Sequence, residues 1–284
     1  MAESSDDPGL KPALRYKLKQ CRYGPMLFNA QDVYVGRSFD LYGEYCEVEI
    51  ELLRRLCQPG DVILDIGANI GADAIPLARH VGASGRILAF EPQRLVFQML
   101  CANIALNSLS NVACYWQALG REAGHVVVPP INYAASGNFG GITMARDGPG
   151  ERVAMASIDS FDLPACALMK IDVEGMEQEV LIGAARTIAK YRPRLYVEND
   201  GRHDSPGLIT YLTSLGYRLY WHLPPLYSPA NHFRNETNVY PGTVCVNMLC
   251  LPPGDGLELR NFRAVEGPHD AGLEYRRKLM RQGD

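Results

Sequence analysis

Apolar positions change their spacing along the chain, and the change divides it. Over residues 44–57, Val48, Leu52, Leu53 and Leu56 recur at helical spacing with charges between them, and Pro59 and Gly60 end the stretch. From residue 62 the pattern becomes short, continuous apolar runs, at 62–66, 86–91 and 112–116. Such runs suit parallel strands buried on both faces. The segments between them predict helices over 70–81 and 92–107, the second opened by Pro92. Strand alternating with helix predicts a parallel sheet covered by helices on both faces.

Residues 118–158 break this rhythm. Gly, Pro, Asn and Ser are frequent over 124–150, and 126–128 and 153–155 are strand candidates, so an inserted hairpin or lid is expected. The alternation then resumes, with strands at 167–172, 193–198 and 217–221 and helices at 175–190 and 206–215. The last apolar strand is 244–251. Ahead of the core, 34–39 reads as a strand. Past residue 252 the chain is polar, with an amphipathic helix expected near 273–280. The resulting division is a disordered N-terminus at 1–13 and a segment at 14–58 packing on the core. The main domain is 59–252, with its insert at about 120–158, and 253–284 is a tail.

With 47% hydrophobic residues, 284 residues can bury one large core. The formal net charge of −4 lacks the basic excess of a phosphate-gripping surface, so no nucleic-acid partner is expected. The acidic start, Met1 to Gly9, lacks the basic and apolar runs of a signal peptide, and no stretch is apolar for long enough to span a bilayer. A cytoplasmic protein without membrane contact is expected. The oligomeric state stays open, a homodimer included. Eight cysteines show no C-x-x-C spacing; they read as reduced, buried thiols, and no metal site is expected.

Two features point to a ligand. Asp65, Gly67, Asn69 and Gly71 lie in the run Asp-Ile-Gly-Ala-Asn-Ile-Gly, where the first buried strand turns into a helix. Glycine permits the tight turn, and the helix start offers free N–H groups. Glu91 ends the next strand, 26 residues on, where a nucleoside-binding sheet sets an acid against ribose hydroxyls. The dinucleotide fingerprint Gly-x-Gly-x-x-Gly fails, because Asn69 holds the middle position and Ala72 the last, and no P-loop is present. An acid ahead of the glycines sits badly beside a pyrophosphate and well beside the ammonium of a methionine moiety. S-adenosylmethionine is therefore favoured over a dinucleotide. The competing reading is that Asp65 and Asn69 only shape the turn.

Further carboxylates end later strands: Asp172 and Glu174 in Met-Lys-Ile-Asp-Val-Glu-Gly-Met-Glu, and Glu198 in Tyr-Val-Glu-Asn-Asp. All three are candidate catalytic groups, since an acceptor hydroxyl must lose a proton; helix capping is the alternative. Glu177 reads as an ordinary acid in a first helical turn.

Together with Phe90-Glu91-Pro92 and the run Asn-Ile-Ala-Leu-Asn at 103–107, these motifs resemble the FkbM-type methyltransferases in order and spacing from about residue 60 to 220. The resemblance implies a doubly wound, Rossmann-like class I methyltransferase fold of the α/β class, seven-stranded and mostly parallel, with its last strand antiparallel. It also implies S-adenosylmethionine as donor and, as acceptor, a hydroxyl on a sugar or secondary metabolite. Asp65, Gly67, Asn69, Gly71, Glu91 and Pro92 would hold the cofactor, with Gln117 and Ala118 near its adenine and Glu44 folding over it from the N-terminal segment. Asn138 in the insert, and His222 and His232 after the sixth strand, are candidates for acceptor binding. A divalent cation on Asp172 and Glu198 is the secondary version of the chemistry. The rival classes are a nucleotide-dependent oxidoreductase, disfavoured by the failed fingerprint, and a non-catalytic scaffold, disfavoured by the retained strand-end acids.

Overall fold

The computed structural model describes residues 16–201, 203–260 and 262–270. The disorder expected over 1–13 and the helix expected near 273–280 lie outside these residues. The chain opens with an antiparallel hairpin, β1 (Tyr16–Cys21) and β2 (Gly24–Asn29), and continues through α1 (Val35–Tyr42) and α2 (Glu47–Arg55). The core begins with β3 (Val62–Ile66), α3 (Ala74–Val81), β4 (Arg86–Phe90), α4 (Arg94–Leu106) and β5 (Val112–Tyr115). The insert carries β6 (Ala118–Leu119), β7 (Gly124–Val128) and β8 (Glu151–Ala156). The core then resumes as β9 (Leu168–Ile171), α5 (Glu177–Ile182), α6 (Ala185–Tyr191), β10 (Arg194–Glu198), α7 (Ser205–Ser214), β11 (Arg218–His222) and β12 (Asn247–Leu251), with β13 (Arg263–Ala264) at the edge.

The main sheet runs β13-β11-β12-β10-β9-β3-β4-β5. Strands β10, β9, β3, β4 and β5 are parallel, and β12 runs antiparallel between β10 and β11. This is a mostly parallel α/β sheet whose last long strand is antiparallel, as expected; β13 adds an eighth, two-residue strand that sequence patterning misses. Side chains alternate across the pleat. Ile63 therefore packs with Leu53, Ile75 and Leu100 on one face, under α2, α3 and α4. Leu64 packs with Val180, Ile188 and Leu212 on the other, under α5, α6 and α7.

Three elements differ from the expectation. Residues 35–39 lie in helix α1 rather than a strand: the Asp32 carboxylate accepts the Tyr34 N–H at 2.8 Å in the turn ahead of it, and Gly43 closes the helix at φ +69°. The helix expected over 175–190 is two. A Cβ on Gly183 would sit 2.0 Å from the Gly120 carbonyl oxygen, so the insert passes against the chain there. The second helix is started by Asp159, which accepts N–H bonds from Arg186 and Thr187 at 2.8 Å each. The hairpin β1–β2 docks on α4 through Asn103, whose side chain exchanges bonds with the Leu27 backbone at 2.6 and 3.0 Å.

Candidate active site

Strand pairing brings the motifs to one edge. Ile66 pairs with Phe90 on one side and Ile171 on the other, and Val197 pairs with Ile171. The residues that follow β3, β4 and β9, and the last residue of β10, therefore share the carboxyl end of the sheet, where α/β folds bind ligands. A cavity of about 310 Å³ opens there. Of the expected cofactor residues, Gly67, Asn69, Glu91, Pro92, Gln117 and Ala118 line it, as do the acceptor candidate Asn138 and the carboxylates Asp172, Glu174 and Glu198.

The Gly turn is tightly specified. Gly67 has φ +82°, and a Cβ there would lie 1.7 Å from the Asp172 carbonyl oxygen, so the loops after β3 and β9 touch backbone to backbone. Asn69 adopts φ +49°, and its N–H donates to Glu91 Oε2 at 3.0 Å. The Gln93 N–H donates to Glu91 Oε1 at 2.8 Å. Those bonds occupy about two of the four acceptor positions of a carboxylate, leaving capacity toward the cavity. Burial raises the Glu91 pKa to about 7 against the lowering effect of these two N–H bonds. Phe90, beneath, stacks on Tyr115 at 4.8 Å, and Leu119 and Met144 supply apolar wall beside Gln117 and Ala118.

The opposite end is crowded with carboxylates. Asp172, Glu174 and Glu198 each place an oxygen within 4.8 Å of the others. Burial, then the charges of Asp172 and Glu174, hold the Glu198 carboxyl well above the usual carboxylate range. Glu174 is delivered by left-handed backbone at φ +53°, followed by Gly175, where a Cβ would meet the His203 ring at 2.7 Å. Glu177 accepts the Gly175 N–H at 3.0 Å and fixes this loop.

Between the two ends lies Lys170, only 4% exposed, which pairs with Asp73 and Asp172 at 3.2 Å each. Burial works against its charge, but Asp172, Asp73, Asp65 and Glu49 together hold its pKa well above the ordinary value. Asp65 faces Lys170 across the β3–β9 pair and is fully buried, with both oxygens lacking a hydrogen-bond partner. Burial raises its pKa to about 7. It does not line the cavity; Asp73 and Lys170, whose charges act on it, do.

Several expected residues stand elsewhere. Gly71 lies against Leu100 and Ile75, on the helix side of the turn. Glu44 pairs with Arg22 at 2.7 Å and accepts the His232 N–H at 2.8 Å, tying the N-terminal segment to the C-terminal one outside the cavity. The His232 ring packs on Phe233. His222 shares a 2.7 Å hydrogen bond with the Tyr196 hydroxyl and stacks on Phe262; burial lowers its pKa to about 4. Neither histidine lines the cavity.

Other lining residues escape sequence reasoning. Tyr34, Tyr45 and Glu49 come from the N-terminal segment, and Leu226, Thr243, Cys245 and Asn247 from the stretch before and into β12. The insert closes the remaining side: the Val33 N–H donates to the Gly137 carbonyl at 3.0 Å, the Gly137 N–H to the Gln31 carbonyl at 3.0 Å, and Gln93 Nε2 to the Phe139 carbonyl at 2.8 Å. No helix among the described residues is long and apolar enough to cross a membrane.

The methyltransferase FkbM domain matches residues 65–219. A hexuronic acid methyltransferase of Haloferax volcanii is 29% identical over 159 residues, covering 54% of this chain and 62% of that protein. A 23S rRNA (uracil(1939)-C(5))-methyltransferase of Acinetobacter baylyi is 34% identical over 83 residues, covering 28% of this chain and 18% of that one. Both matches span less than two thirds of the relative's own length. Among solved structures, the methyltransferase FkbM of Methylobacillus flagellatus aligns at 17% identity and a TM-score of 0.45, over 72% of this chain and 50% of that one. A precorrin-6y C5,15-methyltransferase of Geobacter metallireducens aligns at 14% identity and a TM-score of 0.48, over 73% and 87%.

Proposed function

The chain belongs to the FkbM methyltransferase family, and from that premise we propose that it transfers the methyl group of S-adenosylmethionine to a hydroxyl of a sugar or sugar-like small molecule. The observation that carries this reading is one cavity with two unlike ends: a buried acid with spare acceptor capacity beside the Gly turn, and a carboxylate cluster facing it. In this reading Glu91 accepts bonds from the ribose hydroxyls. Gln117 and Ala118 border an apolar recess that suits adenine. The Asp73–Lys170 pair presents one charge of each sign to the amino-acid part, with Asp65 behind it. S-adenosylmethionine, when bound, supplies the electrophilic methyl.

At the other end Glu198 takes the acceptor's proton. A carboxyl whose pKa is raised by burial and by its neighbours is a stronger base once ionised, and such tuning brings a carboxylate toward neutral pH. Asp172 and Glu174 hold and orient the acceptor, which reaches them past Asn138. The sugar class is supported by the match to the hexuronic acid methyltransferase of Haloferax volcanii. The test is incubation with methyl-labelled S-adenosylmethionine and a panel of free sugars, hexuronic acids and glycosides, followed by linkage analysis. A methyl ether on a ring hydroxyl is expected. Label appearing only on nitrogen, on carbon or as a carboxyl methyl ester would refute transfer to a hydroxyl.

A further inference from the structure

The spacing of the eight cysteines holds no metal motif, yet the fold brings two of them together with a glutamate. Cys46 precedes α2, Glu49 lies in its first turn, and Cys245 arrives 199 residues later, just before β12. Cys46 Sγ is 3.7 Å from Cys245 Sγ and 3.7 Å from Glu49 Oε2. The three ligand atoms all lie within 4.8 Å of one another. Glu49 Oε2 accepts a bond from Asn247 Nδ2 at 3.2 Å, and the Tyr45 hydroxyl is 4.0 Å from Cys245 Sγ. Cys46 also approaches the Pro225 carbonyl at 3.9 Å.

These separations can be compared with a coordination shell. Tetrahedral zinc holds thiolate sulfur at about 2.3 Å and carboxylate oxygen at about 2.1 Å. Tetrahedral angles then set two sulfurs about 3.8 Å apart, and sulfur and oxygen about 3.6 Å apart. The observed 3.7 Å values match both without movement of the backbone. Two thiolates and a carboxylate form a soft-to-borderline donor set, which selects zinc over magnesium or calcium. The set differs in kind from the all-oxygen cluster of Asp172, Glu174 and Glu198, which also lines the cavity.

We infer that Cys46, Glu49 and Cys245 form a binding site for a zinc ion on the wall of the cavity. Glu49 and Cys245 line the cavity and Cys46 stands behind them, so the ion has an approach from the cavity side. Three protein ligands leave a fourth position for water or another oxygen ligand. Binding releases a proton from each thiol and adds a metal link between the start of α2 and the segment before β12, two stretches already in contact through side-chain packing and the Asn247–Glu49 hydrogen bond. The assignment stands apart from the methyl-transfer reading, since it needs no cofactor and no acceptor.

The test uses the full chain, reduced, stripped with EDTA and titrated with Zn²⁺ alone. A single equivalent should bind and raise the melting temperature by roughly several degrees. Co²⁺ in its place should give a sulfur-to-cobalt charge-transfer band. Both signals should vanish in the Cys46→Ser/Cys245→Ser protein and persist in Cys101→Ser/Cys114→Ser, a second neighbouring thiol pair that does not line the cavity. Zinc binding that survives in the first double variant overturns the site, as does an absence of binding in the reduced parent. Should that variant not fold, X-ray absorption at the zinc edge of the parent decides: two sulfurs at about 2.3 Å are expected, and a shell of oxygen and nitrogen alone refutes it.

Discussion

The two ends of the cavity hold the same functional group in different surroundings. At one end Glu91 stands alone, anchored by two backbone N–H donors at fixed positions. At the other, Asp172, Glu174 and Glu198 crowd within 4.8 Å and raise the Glu198 pKa through mutual charge as well as burial. A carboxylate held by directional donors keeps its remaining lone pairs aimed and makes a binding group. A carboxylate crowded by others holds a proton more tightly and makes a base. On the proposed reading, environment rather than residue type divides the work.

The sharpest way to break this comparison is to neutralise one end at a time. Glu198→Gln should lower turnover about 10²- to 10⁴-fold, the usual effect of losing a general base. Its affinity for S-adenosylhomocysteine should stay within a few-fold of the parent. Asp172→Asn, measured beside it in single-turnover experiments, should fall less, since Asp172 also pairs with Lys170. Equal and full activity in both variants would remove the carboxylate cluster from the chemistry.

The converse substitution acts on the other end. Glu91→Ala should weaken S-adenosylhomocysteine binding by about 10²- to 10⁴-fold, because two hydrogen bonds to a charged group, at about 1.5–3 kcal/mol each, are lost. Saturated turnover should change far less than affinity. A variant with intact affinity, checked by calorimetry, would place the ribose elsewhere.

A smaller effect sharpens the same contrast. Burial raises the Glu91 pKa to about 7 in the cofactor-free protein, and the ionised carboxylate is the stronger acceptor for ribose hydroxyls. Affinity should therefore be flat above pH 7 and fall by up to about tenfold per pH unit below it. The sign for stability is the reverse. Because the folded pKa lies above the ordinary 4.5, Glu91 contributes stability to the cofactor-free protein that is present in acid and lost as pH rises through about 7. Glu91→Gln should flatten both profiles, and an unchanged binding profile in that variant would assign the pH dependence to another group.

Legibility differed between the cavity's floor and its walls. Val62–Ile66, Arg86–Phe90 and Leu168–Ile171 are continuous apolar runs, and each ends in a turn motif. Their order alone places Glu91 and Asp172 at one sheet edge. The walls come from distant stretches, and no local pattern announces that Tyr45 and Glu49 meet Cys245 and Asn247. The helix at Val35–Tyr42 did carry its signals, Asp32 before it and Gly43 after it, but Tyr-Val-Gly-Arg-Ser-Phe also fits a short strand. β1 alternates Tyr16, Leu18 and Gln20 with Lys17 and Lys19, a weak pattern on a mostly exposed strand. His222 and His232 illustrate the reverse error: chemistry-bearing side chains near the site in sequence are consumed by packing against Tyr196, Phe262 and Phe233.

The central claim is that the cavity at the carboxyl end of the sheet is built for S-adenosylmethionine. It is tested most directly by the melting temperature of the full chain with S-adenosylhomocysteine or NAD present in excess. A ligand that binds only the folded state at a hundredfold its Kd stabilises by about 2.7 kcal/mol. A clear rise with S-adenosylhomocysteine, lost in Glu91→Ala, and none with NAD is the expected result. A rise with NAD and none with S-adenosylhomocysteine would contradict it.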